Sequence, residues 1–238
     1  MYGDPDIVEL PDGSLGLCQW LPEHPHPFKT ADFDDSAEPM INVDPANFGG
    51  YQNIHNIAQE IRSIDPELNY SVGIYERRSL IPDPEVVFQL GTVVSGSWFG
   101  IRVAKATADV MEPRLKRMLD VICDTIVKTA QCAIPHTRPI TYIVKVNGTP
   151  NVDLIVRTRD ANLAIRAFAG DFSQVEKDIA TLHRRFNAEM IQFLLNERGE
   201  WEFNFLLTAD GKSIGTKTAF TRRDVLLREM ELKVKKKV

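Results

Sequence analysis

Cys18, His24 and His26 form the densest group of metal-capable side chains in this 238-residue sequence, all within CQWLPEHPH. Each can ligate zinc, but tetrahedral sites are built from closely paired ligands and want a fourth. The spacing here matches no such pair, and two prolines hold the histidines in extended chain. Cys123 and Cys132 are nine residues apart on one helical run, too far along it for a shared metal or a disulfide. Cys132 with His136 straddles a helix end, where a thiol and a base would have to meet to make a nucleophile. A small buried hydrophobe beside a loop histidine satisfies the same pattern.

Carboxylates give two further groups. Asp32, Asp34, Asp35 and Glu38 could surround a hard cation, but a calcium loop needs a glycine where Ala37 stands and a closing glutamate where Val43 stands. Pro82-Asp83-Pro84-Glu85 matches the first half of a nuclease carboxylate motif. The second half is missing, since GSWFGIRVAK carries no acid and metal-dependent phosphoryl chemistry needs convergent carboxylates. Gly91, Gly96 and Gly100 lack the Lys-Ser/Thr that completes a phosphate loop. No serine sits in a nucleophile elbow. The residues therefore name no reaction, and neither a cofactor nor a metal is expected.

Basic residues make the strongest remaining pattern. Arg184 and Arg185 lie on the polar side of a helix. Arg222 and Arg223 open the last helix, and Lys233, Lys235, Lys236 and Lys237 close the chain. If these converge they form a phosphate-binding patch, with Trp98, Phe99, Trp201 and Phe203 on strands as platforms for unpaired bases. The same residues also suit a solvated helix end and a packed core.

Charge is unevenly laid out. Residues 1–50 carry −9, residues 51–178 are neutral, and residues 179–238 carry +4. The net charge of −5 argues against a general polyanion binder and permits a local one. Three scattered cysteines give no disulfide framework and fit a reducing compartment. No basic-then-apolar leader opens the sequence and no apolar run reaches the ~20 residues of a membrane span. A cytoplasmic location without a membrane partner is the expectation.

The elements must position these groups. Seven of the fourteen prolines fall in residues 1–50, interspersed with Ile7, Val8, Leu10, Leu15, Leu17, Trp20, Leu21 and Phe28. This reads as an extended acidic arm lying on a surface, with Asp12-Gly13 turning a small hairpin. Residues 51–238 read as a single domain with a short basic tail. Ile54, Ile57, Ile61 and Ile64 mark a helix stopped by Asp65-Pro66. Tyr70–Tyr75 and Val86–Val94 read as strands, the latter in a hairpin with Trp98–Val103. A long helix follows, with Pro113 in its first turn and a kinked piece before it. Ile140–Val146 and Val152–Thr158 flank the turn NGTPN. Asp160 caps a short helix. Ser173 with Glu176 signals a capping box for a second long helix over 173–196, on the stripe Val175, Ile179, Leu182, Phe186, Met190 and Phe193. Trp201–Leu207 and Ser213–Phe220 read as a following pair of strands, and Thr221 with Asp224 signals a last helix.

The expected fold is α+β: a mostly antiparallel sheet of hairpins covered by two long amphipathic helices. The expected function is non-catalytic binding or assembly, with the arm contacting another copy or another protein. A phage or viral structural or accessory component has this profile. RNA or single-stranded DNA binding through a helix-over-sheet domain is the alternative, and a small-molecule enzyme or ligand-binding domain is the second.

Overall fold

The computed structural model describes residues 5–20, 38–44, 48–74, 84–91, 98, 105–134, 136–222 and 224. Its centre is a ten-stranded sheet. In chain order the strands are β1 (Asp6–Glu9), β2 (Leu15–Trp20), β3 (Met40–Val43), β4 (Ser71–Ile74), β5 (Glu85–Leu90), β6 (Ile140–Val146), β7 (Asn151–Thr158), β8 (Ala188–Leu195), β9 (Trp201–Thr208) and β10 (Lys212–Thr216). Their order across the sheet is β1-β2-β10-β9-β8-β7-β6-β5-β3-β4. Three neighbouring pairs are parallel: β3 with β4, β5 with β6, and β7 with β8. The other six are antiparallel.

Each parallel pair needs a crossover, because parallel strands cannot be joined by a tight turn. Helix α1 (Tyr51–Arg62) links β3 to β4, and α2 (Lys105–Cys132) links β5 to β6. Helices α3 (Ala161–Ala169) and α4 (Ser173–Phe186) together link β7 to β8. All four pack on one face of the sheet. Ile54 and Ile61 of α1, Met118 and Ile122 of α2, Phe168 of α3 and Leu182 of α4 meet Ile41, Phe88, Val144, Leu154 and Phe193 in one buried core. Tyr142 ties sheet to helix: its hydroxyl donates to the Ile126 carbonyl at 3.3 Å. Burial pushes that phenol up to about 12.

The fold is thus α+β and mostly antiparallel, as the paired strands and amphipathic helices require. Several elements depart from the sequence reading. The second long helix stops at Phe186, and Asn187 takes the left-handed conformation (φ 49°, ψ 51°). Met190 and Phe193 therefore lie on β8 rather than on a continued helical stripe. Ser173 does not cap this helix either. Phe172 is the N-cap, and Asp171 accepts hydrogen bonds from the Ser173 N–H and hydroxyl at 2.8 and 2.9 Å. At the last helix (217–222) the cap is Thr216, whose Oγ1 accepts from the Ala219 N–H at 3.1 Å, one turn before the Thr221 signal. By contrast, Asp160 caps α3, accepting from the Asn162 N–H at 2.9 Å. Pro113 lies inside α2, not in its first turn. Of the hairpin expected from 86–103, only β5, Gly91 and Trp98 are among the described residues, and Trp98 is helical.

The described part of residues 1–50 supplies three strands. The β1–β2 hairpin turns at Asp12-Gly13, where Gly13 has φ 80° and Asp12 accepts from the Ser14 N–H at 3.0 Å. It extends the sheet beyond β10. Strand β3 sits between β5 and β4, with Ile41 and Val43 fully buried. Opposite Asn42 on β4 is Gly73, where an added Cβ would overlap the Asn42 Oδ1. Because Asn42 is itself buried, Gly73→Ala is expected to cost about 1–3 kcal/mol in chemical denaturation.

Candidate functional site: the N-terminal hairpin and the basic cavity beneath it

The sheet is wider than its helical cover. Helix α4 ends above β8, and the chain drops at once into that strand through Asn187, a residue type that tolerates the left-handed region. Beyond it, the hairpin turn at Asp12 lies near Asp178 of α4, and the last turn of α4 faces Val8, Cys18 and Ile214 of β1, β2 and β10. A cavity of about 540 Å³ remains there. Val8, Cys18, Ile214 and Phe186 form its apolar part. Arg184, Arg185 and the Asp210–Lys212 pair form its polar part.

The charges are arranged unequally. Lys212 Nζ lies 2.8 Å from Asp210 Oδ2. Hydrogen bonds from Lys212 and then Thr208 hold the Asp210 carboxyl below the usual range, and Asp210 in turn raises Lys212, so both stay ionised near neutrality. Arg184 and Arg185 are exposed in the last turn of α4, where cations complement the helix dipole. The Arg185 guanidinium lies over the Phe186 ring, 5.3 Å from its centroid. Neither arginine has an acidic partner among the described residues. Burial raises the Cys18 thiol, so at neutral pH it is protonated and not an activated nucleophile.

The hairpin's other face is open. Ile7 is 70% exposed and Leu15 68% exposed. Ile7 is paired with Leu17, two residues from Leu15, so the three side chains share that face. Among the described residues β1 pairs only with β2, which leaves it as a sheet edge.

The basic residues expected as one patch are not gathered as a group. Arg184 and Arg185 stand on the helix-covered side. Arg222 is exposed on the 217–222 helix, whose Ala219 packs with Met190 and Phe205 on the opposite face. Arg223 and Lys233, Lys235, Lys236 and Lys237 lie outside the described residues. The aromatic platforms are occupied within the fold. Trp98 is buried with its ring 5.8 Å from Phe172, and Phe172 is 5.9 Å from Trp201. Phe203 meets Phe193 edge-on at 6.4 Å, and Phe99 is outside the described residues.

Of the metal and cation candidates, His24, His26, Asp32, Asp34, Asp35 and Asp83 are likewise outside. Glu38 accepts from Arg114 at 2.6 Å, and Glu85 is buried on β5. No group of three metal-ligating residues occurs among the described residues. Cys123 and Cys132 are half-buried and raised by that burial, against an activated thiolate. No described helix is long and apolar enough to cross a membrane.

Sequence reasoning missed a buried polar row on the sheet face away from α1–α4. Gln89, Lys145, Asp153 and Gln192 are register neighbours on β5, β6, β7 and β8. Gln192 accepts from the Asn204 amide at 2.7 Å. Gln89, Asp153, Gln192 and Asn204 are buried. Each stands alone within an apolar run, and only strand register brings them together. Compared with protein-family models, curated proteins and solved structures, the chain matches none.

Proposed function

We propose that this protein is a non-catalytic assembly component whose acidic N-terminal hairpin joins the basic C-terminal quarter of a neighbouring copy. The observation that carries the reading is the apolar surface of Ile7 and Leu15 beside the open edge of β1. An uncovered edge strand is a template for pairing with another chain, and proteins blunt such edges when pairing is not wanted. Here Asp6 and Glu9 blunt only one kind of pairing. Asp6 and Glu9 make this edge acidic at both ends, so a second copy of the same strand brings like charge to it. A basic segment meets no such penalty. The sequence Lys233-Val234-Lys235-Lys236-Lys237 alternates in part and carries the matching charge. Pairing of different surfaces closes as a reciprocal dimer or a ring, or continues as a filament.

Light scattering on the intact chain is expected to show an assembly that weakens between ~50 and ~200 mM salt, as screening shortens the reach of exposed charges. Ile7→Ser with Leu15→Ser, or loss of residues 233–238, is expected to shift it toward monomer without unfolding. A monomer at both salt levels and at high protein concentration would sink the reading. Nucleic-acid binding draws less support, because Arg184 and Arg185 stand on the other side of the sheet from Arg222 and the aromatic rings pack on one another.

A further inference from the structure

The cavity between α4 and the hairpin has a chemistry that assembly through the outer face does not use. Its volume of about 540 Å³ falls within the roughly 300–1,000 Å³ of small-molecule sites, and it is a hollow open to solvent. One part is apolar, from Val8, Phe186 and Ile214. The other bears three cations, with Asp210 paired to Lys212 and Asp6 opposite Cys18 on β1. Two guanidiniums therefore remain at the cavity without an acidic partner among the described residues. The Phe186 ring helps fix one of them, since a cation over a ring face is attracted to it.

Dipole complementarity explains why cations suit this helix end, but one would serve. It does not explain why both flank an apolar hollow rather than open water. An occupant that satisfies both parts carries an oxyanion for the planar guanidinium forks and an apolar body for the floor. A bare cation is repelled, and a neutral hydrocarbon leaves the arginines unmatched.

We propose that this cavity is a binding site for a small organic anion, a carboxylate or phosphate on an apolar body, held by Arg184 and Arg185 above Phe186 and Ile214. Cys18 lines the same cavity and reports occupancy directly. It is half-buried and its thiol is raised by that burial, so it is alkylated at alkaline pH, as far as solvent reaches the thiolate.

The test uses the intact protein and two aromatic probes of known charge, phenyl phosphate and benzoate, with inorganic phosphate and neutral phenol as controls. Alkylation at Cys18 is read by peptide mass spectrometry, with Cys123 and Cys132 as internal references. Saturable protection of Cys18 by phenyl phosphate or benzoate, but not by phenol, is the expected result. The ratio of the two shows whether phosphate or carboxylate is preferred, and protection by inorganic phosphate alone would remove the apolar part of the proposal. Arg184→Ala with Arg185→Ala is expected to weaken protection about tenfold or more, as loss of charge-assisted pairs does. Arg184→Lys with Arg185→Lys, which keeps the charge and so guards against a misfolded alanine variant, is expected to retain part of it. Equal protection by phenol and the anions, or no protection of Cys18 in the wild-type chain at millimolar probe, overturns the site. Neither outcome depends on whether the protein assembles.

Discussion

Deleting residues 1–46 is expected to leave a chain without a cooperative thermal transition. The sequence suggested the reverse, an arm laid over a domain that folds from residue 51. The structure puts β3 between β5 and β4, so the deletion takes out an inner strand. Strand β4 then loses its backbone partner among the described residues, and the β5 edge opens. Ile41 and Val43 are fully buried and Leu10 nearly so. Removing the packing of even one such residue costs roughly 2–5 kcal/mol. Total stabilities are only about 5–15 kcal/mol, so three buried side chains and three strands exceed what a domain can lose. A shorter deletion separates the two halves of this segment. Without residues 1–20 the hairpin is gone, but β10 simply becomes the edge, and this chain is expected to fold with reduced stability. Both are checked by circular dichroism on heating. A sharp transition in the 1–46 deletion, near that of the intact protein, would show that β3 adds little and that the sheet heals behind it.

The hairpin and β3 differ in how visible they are before the structure is known. Asp12-Gly13 is a local turn signal between apolar residues, and a hairpin is a local object. MINV is four residues among prolines, and its partners β4 and β5 come about thirty and forty-five residues later. Nothing local says that a short apolar word will be inserted between two later strands. The same limit hid the parallel pairs. Consecutive strands suggest hairpins, yet β4 and β5 do not pair, because β3 already occupies the place between them.

The candidate site was half legible. Arg184 and Arg185 lie on the polar side of their helix, as the stripe of Val175, Ile179 and Leu182 requires. That they border a cavity depends on where α4 stops, and on β1 and β2 lying next to β10. The first is a one-residue decision at Asn187. The second is a pairing across some two hundred residues. Charge layout pointed to an acidic start and a basic end of the chain. It could not show that the acidic hairpin already rests beside Arg184, Arg185 and Lys212 of its own chain.

The helix end itself gives the second large expected effect. If the helix ran on to residue 196, Phe186 and Phe193 would share one stripe and replacing either by alanine would cost much the same. In the structure Phe193 is fully buried on β8 against Phe203, whereas Phe186 is half-buried at the last turn of α4. Phe193→Ala is therefore expected to cost about 3–5 kcal/mol, the range for a buried aromatic, and Phe186→Ala about half as much. Asn187 adds a change of sign. In a continuous helix Asn187→Ala would stabilise, since alanine is the better helix former by a few tenths of a kcal/mol. With Asn187 at φ 49°, alanine instead meets a left-handed penalty of about 1–2 kcal/mol, and Asn187→Gly escapes it. Urea denaturation of the four variants, with slopes compared to confirm a common unfolded state, reads all of this at once. Equal losses at the two phenylalanines together with a stabilised Asn187→Ala would restore the long helix and remove β8, and with it the wall that turns the end of α4 into the rim of a cavity.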